Sequence, residues 1–197
     1  MANANTPFGF KPVKHMNGSP WNGKVNVYYV PATDSTALFK GDAVKLAGAA
    51  DATGKFPTVA QAAATDAVCG VVVGFGDNPH VGIRPDTPNL DYRLASTAMY
   101  VFVVDDPYVI FEVQEDSTGN SITAAMVGLA TDIEVTAGNT ATGKSGMMLD
   151  SSDTATAAGQ CRIMRLVDRE DNALGNYAKW EVLLAEHQFL NTISTDV

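Results

Sequence analysis

The chain has 197 residues, of which 46% are hydrophobic and 18% charged, and this balance excludes general disorder. A net charge of -9, with no cluster of lysine or arginine to offset it, argues against binding to nucleic acid or to anionic membranes. The sequence contains neither a run of about 18 apolar residues nor an N-terminal apolar signal, so we expect no membrane span and no export.

The first 24 residues are rich in proline and glycine and contain three aromatic side chains, Phe8, Phe10 and Trp21. Prolines at this density prevent a helix or a long strand, and aromatic side chains gain nothing from exposure to solvent. We therefore predict an extended N-terminal arm over residues 1–24 and a β-rich domain over residues 25–197. The arm either straps across this chain's own core or reaches a neighbouring subunit.

Runs of alternating, β-branched and aromatic residues predict a series of short strands separated by turn residues. In chain order the predicted strands lie within residues 24–30, 38–46, 67–75, 98–104, 109–115, 132–135, 146–149, 161–167 and 177–189. The last run also fits a helical stripe, but the turn residues before it favour a strand that forms a hairpin with the preceding one. Residues 76–89, with three prolines, predict a long loop. We therefore expect a mainly β chain folded as a single β-sandwich or barrel. No internal repeat of fixed period is visible, which excludes solenoids and propellers.

The most strongly patterned stretch is residues 98–115, where two runs flank the corner Asp105-Asp106-Pro107. We predict that these two runs form a hairpin. The first run is apolar at every position and should be buried on both faces, whereas Glu112 and Gln114 predict that the second is buried on one face only.

Residues 138–145 (GNTATGKS) match the phosphate-binding motif G-x-x-x-x-G-K-[ST] in full. That chemistry requires a helix after the loop, because the helix N-terminus supplies part of the anion site. Gly146 and the turn residues that follow it predict no helix. We therefore interpret the segment as a β-turn and not as a nucleotide site.

Other candidate chemistry is weak, and we predict no enzyme activity, no cofactor and no metal. Asp105 and Asp106 are adjacent, so on a strand they would point to opposite faces and could not act together on one substrate; a turn role is the better account. The histidines at positions 15, 80 and 187 show no metal-ligand spacing, and the nearest approach to a metal set is His80 with Asp77 and Asp86. Cys69 and Cys161 are predicted to be reduced and buried.

Several segments together resemble the structural head proteins of tailed bacteriophages, in particular capsid decoration (cement) proteins. They are N-A-N-T-P-F-G-F-K-P-V with N-G-S-P-W-N-G, V-N-V-Y-Y-V-P-A, L-F-K-G-D-A-V-K-L with V-C-G-V-V-V-G-F, and T-G-K-S-G-M-M-L-D. The resemblance covers most of the chain. It implies a mostly β fold, as a β-tulip, a jelly roll or a two-layer barrel, with dimers or trimers on the outer capsid surface and extended termini that hold neighbouring major capsid proteins together.

We accordingly expect a non-enzymatic virion protein, synthesised in the host cytoplasm, that clamps the major capsid proteins of its shell. Phe8, Phe10 and Trp21 would lie in pockets of the neighbouring subunits. One alternative is a tail-tube or head-tail joining protein. Another is a carbohydrate-binding β module on the virion, which would need clustered exposed Trp or Tyr, and only Trp21 and Trp180 are available as tryptophans.

Overall fold

The computed structural model describes residues 3–76, 91–155 and 158–190, and the chain is mainly β, as predicted. Within these ranges it forms thirteen strands and one short 3-10 helix, Ala124–Met126. The strands are β1 Lys11–His15, β2 Asn26–Val30, β3 Leu38–Phe39, β4 Ala43–Ala50, β5 Pro57–Gln61, β6 Gly70–Gly76, β7 Tyr92–Arg93, β8 Met99–Val104, β9 Val109–Gln114, β10 Ala130–Glu134, β11 Met148–Ala155, β12 Cys161–Leu166 and β13 Lys179–Leu184. Every predicted strand run overlaps an observed strand, whereas most of the predicted loop at residues 76–89 lies outside the described residues.

The first half of the chain closes into a five-stranded barrel in the order β2-β5-β4-β6-β8. Neighbouring strands are antiparallel except at the closure, where β2 meets β5 in parallel through the single pair Tyr29↔Thr58. The interior is filled by ten buried side chains: Tyr28, Val30, Leu38, Val44, Val59, Cys69, Val72, Phe75, Val101 and Val103. We call this unit the first barrel.

The second half forms a sheet in the order β9-β13-β12-β10-β11, extended beyond β9 by β1. Its ends approach each other, because Glu115 and Leu149 form a parallel bridge and the Asp116 amide donates to the Leu149 carbonyl at 2.9 Å. The sheet therefore curls into a second, nearly closed barrel, which we call the second barrel. Its core holds Phe111, Ile163 and Trp180, and it is continuous with outward-facing side chains of the first barrel such as Val71 and Val104.

The two barrels have the same strand topology. If the strands of each barrel are named a to e in chain order, then e pairs with a and d, and b pairs with d and c, all antiparallel. In both barrels strand c then closes on strand a in parallel. Strand d is also irregular at the equivalent place, between Val72 and Gly74 in β6 and between Ile163 and Arg165 in β12.

The turn that leads into strand b is also the same in both barrels. Gly41 and Gly128 both have positive φ, 97° and 91°, and both lie two residues before strand b. The Gly41 amide donates to the Val72 carbonyl at 2.7 Å, and the Gly128 amide donates to the Ile163 carbonyl at 2.8 Å. The chain thus contains one five-stranded unit twice. The sequence shows no repeat because equivalent positions carry different residue types.

The N-terminal segment, residues 3–24, lies along the second barrel, and we call it the strap. Its strand β1 pairs antiparallel with β9. Upstream of β1, the buried Gln114 side chain accepts from the Thr6 amide at 3.0 Å and donates to Asn5 at 2.8 Å. Residues 1–24 were predicted as an extended arm, and within it β1 is a strand of the second barrel's sheet.

The strap enters the core at Gly9 and Phe10. A Cβ on Gly9 would lie 2.5 Å from the Ser145 Cβ and 2.6 Å from the Gly41 carbonyl oxygen, so only glycine fits there. The Phe10 side chain is 1% exposed and packs edge-on against Phe111, with ring centroids 6.4 Å apart. For Phe10, the interpretation as a strap across the chain's own core is the one that the structure shows.

The predicted hairpin over residues 98–115 is wrong. β8 belongs to the first barrel and β9 to the second, and β2 and β6 already occupy both edges of β8. At the corner between them the Asp106 carboxylate accepts from the Tyr108 amide at 2.9 Å, and the Val109 amide donates to the Asp106 carbonyl at 3.2 Å. The corner is a turn, as expected, but it carries the chain from one barrel to the other.

The predicted burial of these two strands is reversed. All six residues of β9 are buried, whereas Tyr100 and Phe102 of β8 are only half-buried. The polar side chains of β9 tolerate burial because each has a partner: Glu112 pairs with Arg169 at 2.8 Å, and Gln114 bonds to the strap.

A fully buried arginine supports the rim of the first barrel. Arg93, on the short strand β7 that pairs with β3, donates to the carbonyls of Pro31, Asp34, Thr36 and Thr97 at 2.5–2.9 Å. One side chain therefore provides hydrogen-bond donors for backbone carbonyls in two loops.

Candidate functional site

A surface depression lies where the two barrels and the strap meet, and we call it the junction groove. It has a volume of about 320 Å³. Its lining residues are His15, Trp21, Lys24, Val25, Asn26, Asp105, Asp106 and Val109. Ligand sites occur preferentially between packed units, and this volume lies at the lower end of their usual range. The groove is thus the candidate site that the fold itself creates.

Asp105 lines the groove, and hydrogen bonds from Asn26 and Tyr28 hold its carboxylate. Asn26 donates its side-chain amide to both carboxylate oxygens, at 3.0 and 2.9 Å, and the Tyr28 hydroxyl donates at 2.7 Å. Burial, reinforced by the hydrogen bond to Asp105, raises the pKa of Tyr28 above its ordinary value, so this hydroxyl stays a donor. The Asp105 carboxylate is therefore fixed in place by neutral groups.

Asp106 and His15 form the opposite wall, with the His15 Nδ1 3.1 Å from a carboxylate oxygen of Asp106. On a strand these two adjacent carboxylates would point to opposite faces, and a turn role was predicted for Asp105 and Asp106. The structure brings both to one groove, because they lie in the turn after β8 and not within the strand. No sequence pattern indicated a role for His15, which reaches Asp106 only through the pairing of β1 with β9.

Trp21 forms the apolar wall. Its indole N–H donates to the Lys24 carbonyl at 3.3 Å, and its backbone amide donates to the Val13 carbonyl at 3.1 Å. The ring is half-buried against the core of the second barrel. Its position is thus fixed by the strap itself.

Two exposed apolar side chains lie beside the groove. Met16 and Tyr108 are each 54% exposed, and the Met16 amide donates to the Tyr108 carbonyl at 2.8 Å. Both adjoin groove-lining positions in the chain, since Met16 follows His15 and Tyr108 precedes Val109. We call Met16, Tyr108 and Trp21 together the docking face. Neither residue was singled out by the sequence, where an isolated Met or Tyr carries no periodic signal.

The three predicted contact residues, Phe8, Phe10 and Trp21, differ in burial and position in the structure. Phe10 is unavailable to a neighbour because it is buried in its own core, which corrects its assignment as a contact residue. Phe8 is half-buried at the entry of the strap, and Trp21 lines the junction groove. Contact of Phe8 and Trp21 with a neighbouring subunit stays a prediction. Trp180, the other tryptophan considered for sugar binding, is 0% exposed.

The loop with the nucleotide motif is a turn closed on itself. Asn139 and Lys144 form a bridge, and the Gly143 amide donates to the Asn139 carbonyl at 2.8 Å, so this amide is not free to hold a phosphate. Ser145 is buried, accepts from the Met147 amide at 2.9 Å and bonds to the Asp42 carboxyl. Strand β11, not a helix, follows the loop. The interpretation as a β-turn is confirmed.

Other titratable groups are buried as single residues. His187 is fully buried and accepts from the Phe189 amide at 3.2 Å, and burial lowers its pKa. Glu115 is also fully buried, and burial raises its pKa to about 7. Cys69 and Cys161 are free and buried, as predicted. His80, Asp77 and Asp86 lie outside the described residues, and within residues 3–76, 91–155 and 158–190 no group of three acidic, His or Cys side chains is placed to hold a metal ion.

Comparison with known proteins finds no matching family model, no matching curated protein and no matching solved structure. Among the described residues, none of the helices has the length and apolar character that crossing a membrane requires.

Proposed function

We propose that the protein is a non-enzymatic virion structural protein that binds the outer surface of a phage capsid through its docking face. Its partners would be the major capsid protein of the same virion and further copies of itself, as a dimer or trimer. The protein would be made in the host cytoplasm and act on the capsid surface. Nucleic acid and membrane have no part in this proposal.

The observation that supports a binding role is the docking face itself. Met16 and Tyr108 expose about half of their surface although the same strap buries Phe10 almost completely. Large apolar side chains grouped on a protein surface are typical of interaction sites. We therefore assign the predicted clamping contact to Met16, Trp21 and Tyr108 in place of Phe10.

The size of the effect follows from the exposed area. A side chain of this size contributes about 1.5 to 3 kcal/mol when it passes from full exposure to full burial, so two half-exposed side chains contribute roughly that much together. Removing both should therefore weaken binding about 10-fold to 100-fold.

The test is co-sedimentation of the full chain with shells assembled from candidate major capsid proteins. The double variant Met16→Ser with Tyr108→Ser should lose most of its binding. Leu174→Ser is the matched control, because Leu174 is also 54% exposed and lies in the loop between β12 and β13. Binding that falls equally in both variants, or in neither, would remove the docking face from the account.

A further inference from the structure

One strand edge of the duplicated barrel is occupied in the second barrel, whereas in the first no strand lies beside it among the described residues. In the second barrel, β1 pairs with β9 from Lys11↔Glu112 to His15↔Val109. This pairing lies upstream of the closing bridge at Glu115 and on the edge of β9 that faces away from β13. In the second barrel, the strap therefore occupies the gap between strand a (β9) and strand c (β11).

The equivalent stretch of the first barrel follows from the register. Val101 and Trp180 are equivalent, since each belongs to the second pair beyond the bulge of strand d. Val101 pairs with Tyr28, and Trp180 pairs with Val113. Residues 24–27 are therefore equivalent to residues 109–112, the stretch that receives β1.

In the first barrel this edge has no strand beside it among the described parts of the chain. β2 meets β5 only at Tyr29↔Thr58, downstream of the stretch concerned. Lys24 and Asn26 are exposed, and Val27 is half-buried. An unpaired strand edge with accessible backbone groups is a template for one more strand.

The segment that occupies the equivalent edge is basic. Lys11, Lys14 and His15 are three of the five residues of β1, and Lys14 pairs with Glu181 at 2.8 Å. Lys24 is the one basic side chain of this stretch, whereas the Asn26 side chain contacts the Asp105 carboxylate just beyond β8, and the whole chain carries a net charge of -9. Charge complementarity therefore favours a basic occupant at this edge as well.

We propose that the edge at residues 24–27, which leads into β2 and includes its first two residues, binds an extended, basic segment of a partner protein, which adds to the first barrel as an antiparallel strand. The main chain of the segment pairs with β2, and its basic side chains lie toward Asp105. This proposal rests on the proposed function only for the identity of the protein that carries the segment, which would be the shell protein.

The test uses the full chain and a synthetic peptide that copies residues 9–16 (GFKPVKHM), because this is the segment that pairs with the equivalent edge. A second peptide with both lysines replaced by glutamate is the charge control. Hydrogen exchange measured by mass spectrometry should show slower exchange over residues 24–27 with about 1 mM of the basic peptide and no change with the acidic one. No protection of β2, or protection confined to β9, would overturn the proposal.

A matched pair of variants then tests the location. Lys24→Glu adds a carboxylate at the proposed edge and should tighten binding of the basic peptide several-fold. Lys55→Glu makes the same change in net charge at an exposed position in the turn between β4 and β5, and should leave the affinity unchanged. An equal effect of both variants, or no effect of Lys24→Glu, would contradict binding at β2. The peptide experiment contains no shell protein. A negative result would therefore contradict binding at β2 but would not affect the proposed function, which co-sedimentation tests.

Discussion

Glu115 should make the stability of the fold depend on pH near neutrality. Its side chain is fully buried where the second barrel closes, and one carboxylate oxygen accepts from the Ile122 amide at 2.9 Å and from the Trp180 indole N–H at 3.1 Å. The other oxygen has no hydrogen-bond partner among the described residues. Burial raises the pKa from 4.5 to about 7, against the opposing effect of these donors.

The direction of the effect follows from this pKa. Between about pH 4.5 and pH 7 the folded chain keeps the proton that the unfolded chain releases, so stability falls as the pH rises through this window. The stability that the protonated Glu115 side chain contributes is fully present below pH 4.5 and is lost above pH 7. At about 1.4 kcal/mol per pH unit, the loss amounts to about 3 kcal/mol.

Glu115→Gln tests this reasoning, because a neutral amide oxygen can accept the same two hydrogen bonds. We expect the free energy of unfolding of the variant, relative to the parent, to rise by about 3 kcal/mol between pH 4.5 and pH 7.5. Urea unfolding followed by the fluorescence of Trp180 measures it, since the indole contacts the substituted group.

Asp116→Asn is the control for this prediction. Burial would raise the pKa of Asp116, but hydrogen bonds from Ser151 and Thr118 outweigh it and lower the pKa. The stabilisation from Asp116 is therefore present at neutral pH and is lost only as the pH falls below its ordinary range. A Glu115→Gln difference that stays constant from pH 4.5 to 7.5 would refute the assignment of Glu115 as a protonated buried group.

Three further predictions concern the strap, the turn and the loop supports. Phe10→Ala should cost about 3 to 5 kcal/mol in chemical unfolding, as Phe111→Ala should, while the half-buried Phe102 should cost clearly less; equal costs would contradict the burial described for β8. Lys144→Ala should change stability by less than about 0.5 kcal/mol, and calorimetric titration of the parent with ATP and magnesium should show no heat of binding; micromolar binding lost in the variant would reverse the β-turn interpretation. Arg93→Lys should lower the melting temperature strongly, because an ammonium group cannot reach the carbonyls that the buried guanidinium joins; an unchanged melting temperature would show that these bonds are dispensable.

Local pattern was sufficient to predict the class of fold and most strands. Residues 161–167 and 177–189 were predicted to form a hairpin, and β12 and β13 pair antiparallel. These two strands are neighbours in the chain, and the turn residues between them and their alternating side chains are visible in the local sequence, so the pairing could be predicted.

Long-range pairing was not predictable in the same way. The runs on either side of Asp105-Asp106-Pro107 look like a hairpin, but β8 already has β2 and β6 as neighbours, and neither partner is evident from the local sequence. β1 and β7 were missed because each owes its existence to a partner strand far along the chain. β5 was missed although it pairs with the neighbouring strand β4, because its residues PTVAQ show little apolar alternation. The duplicated topology was missed for the same reason, since it is preserved in register and hydrogen bonds and not in residue type.

The candidate site depended on the same long-range contacts. Trp21 was found because an aromatic residue among prolines and glycines is unusual. His15 and Asn26 became site residues only when the strap and β2 met the corner at Asp105 and Asp106. Their residue types alone indicate no chemistry, so no local signal could have identified them.

The measurement that tests the central proposal most directly is electron cryo-microscopy of assembled phage shells incubated with the full chain. The account predicts additional density on the outer shell surface, with Met16, Trp21 and Tyr108 turned toward the major capsid protein. Density located in the tail or inside the shell, or an orientation in which these three residues face solvent, would contradict it.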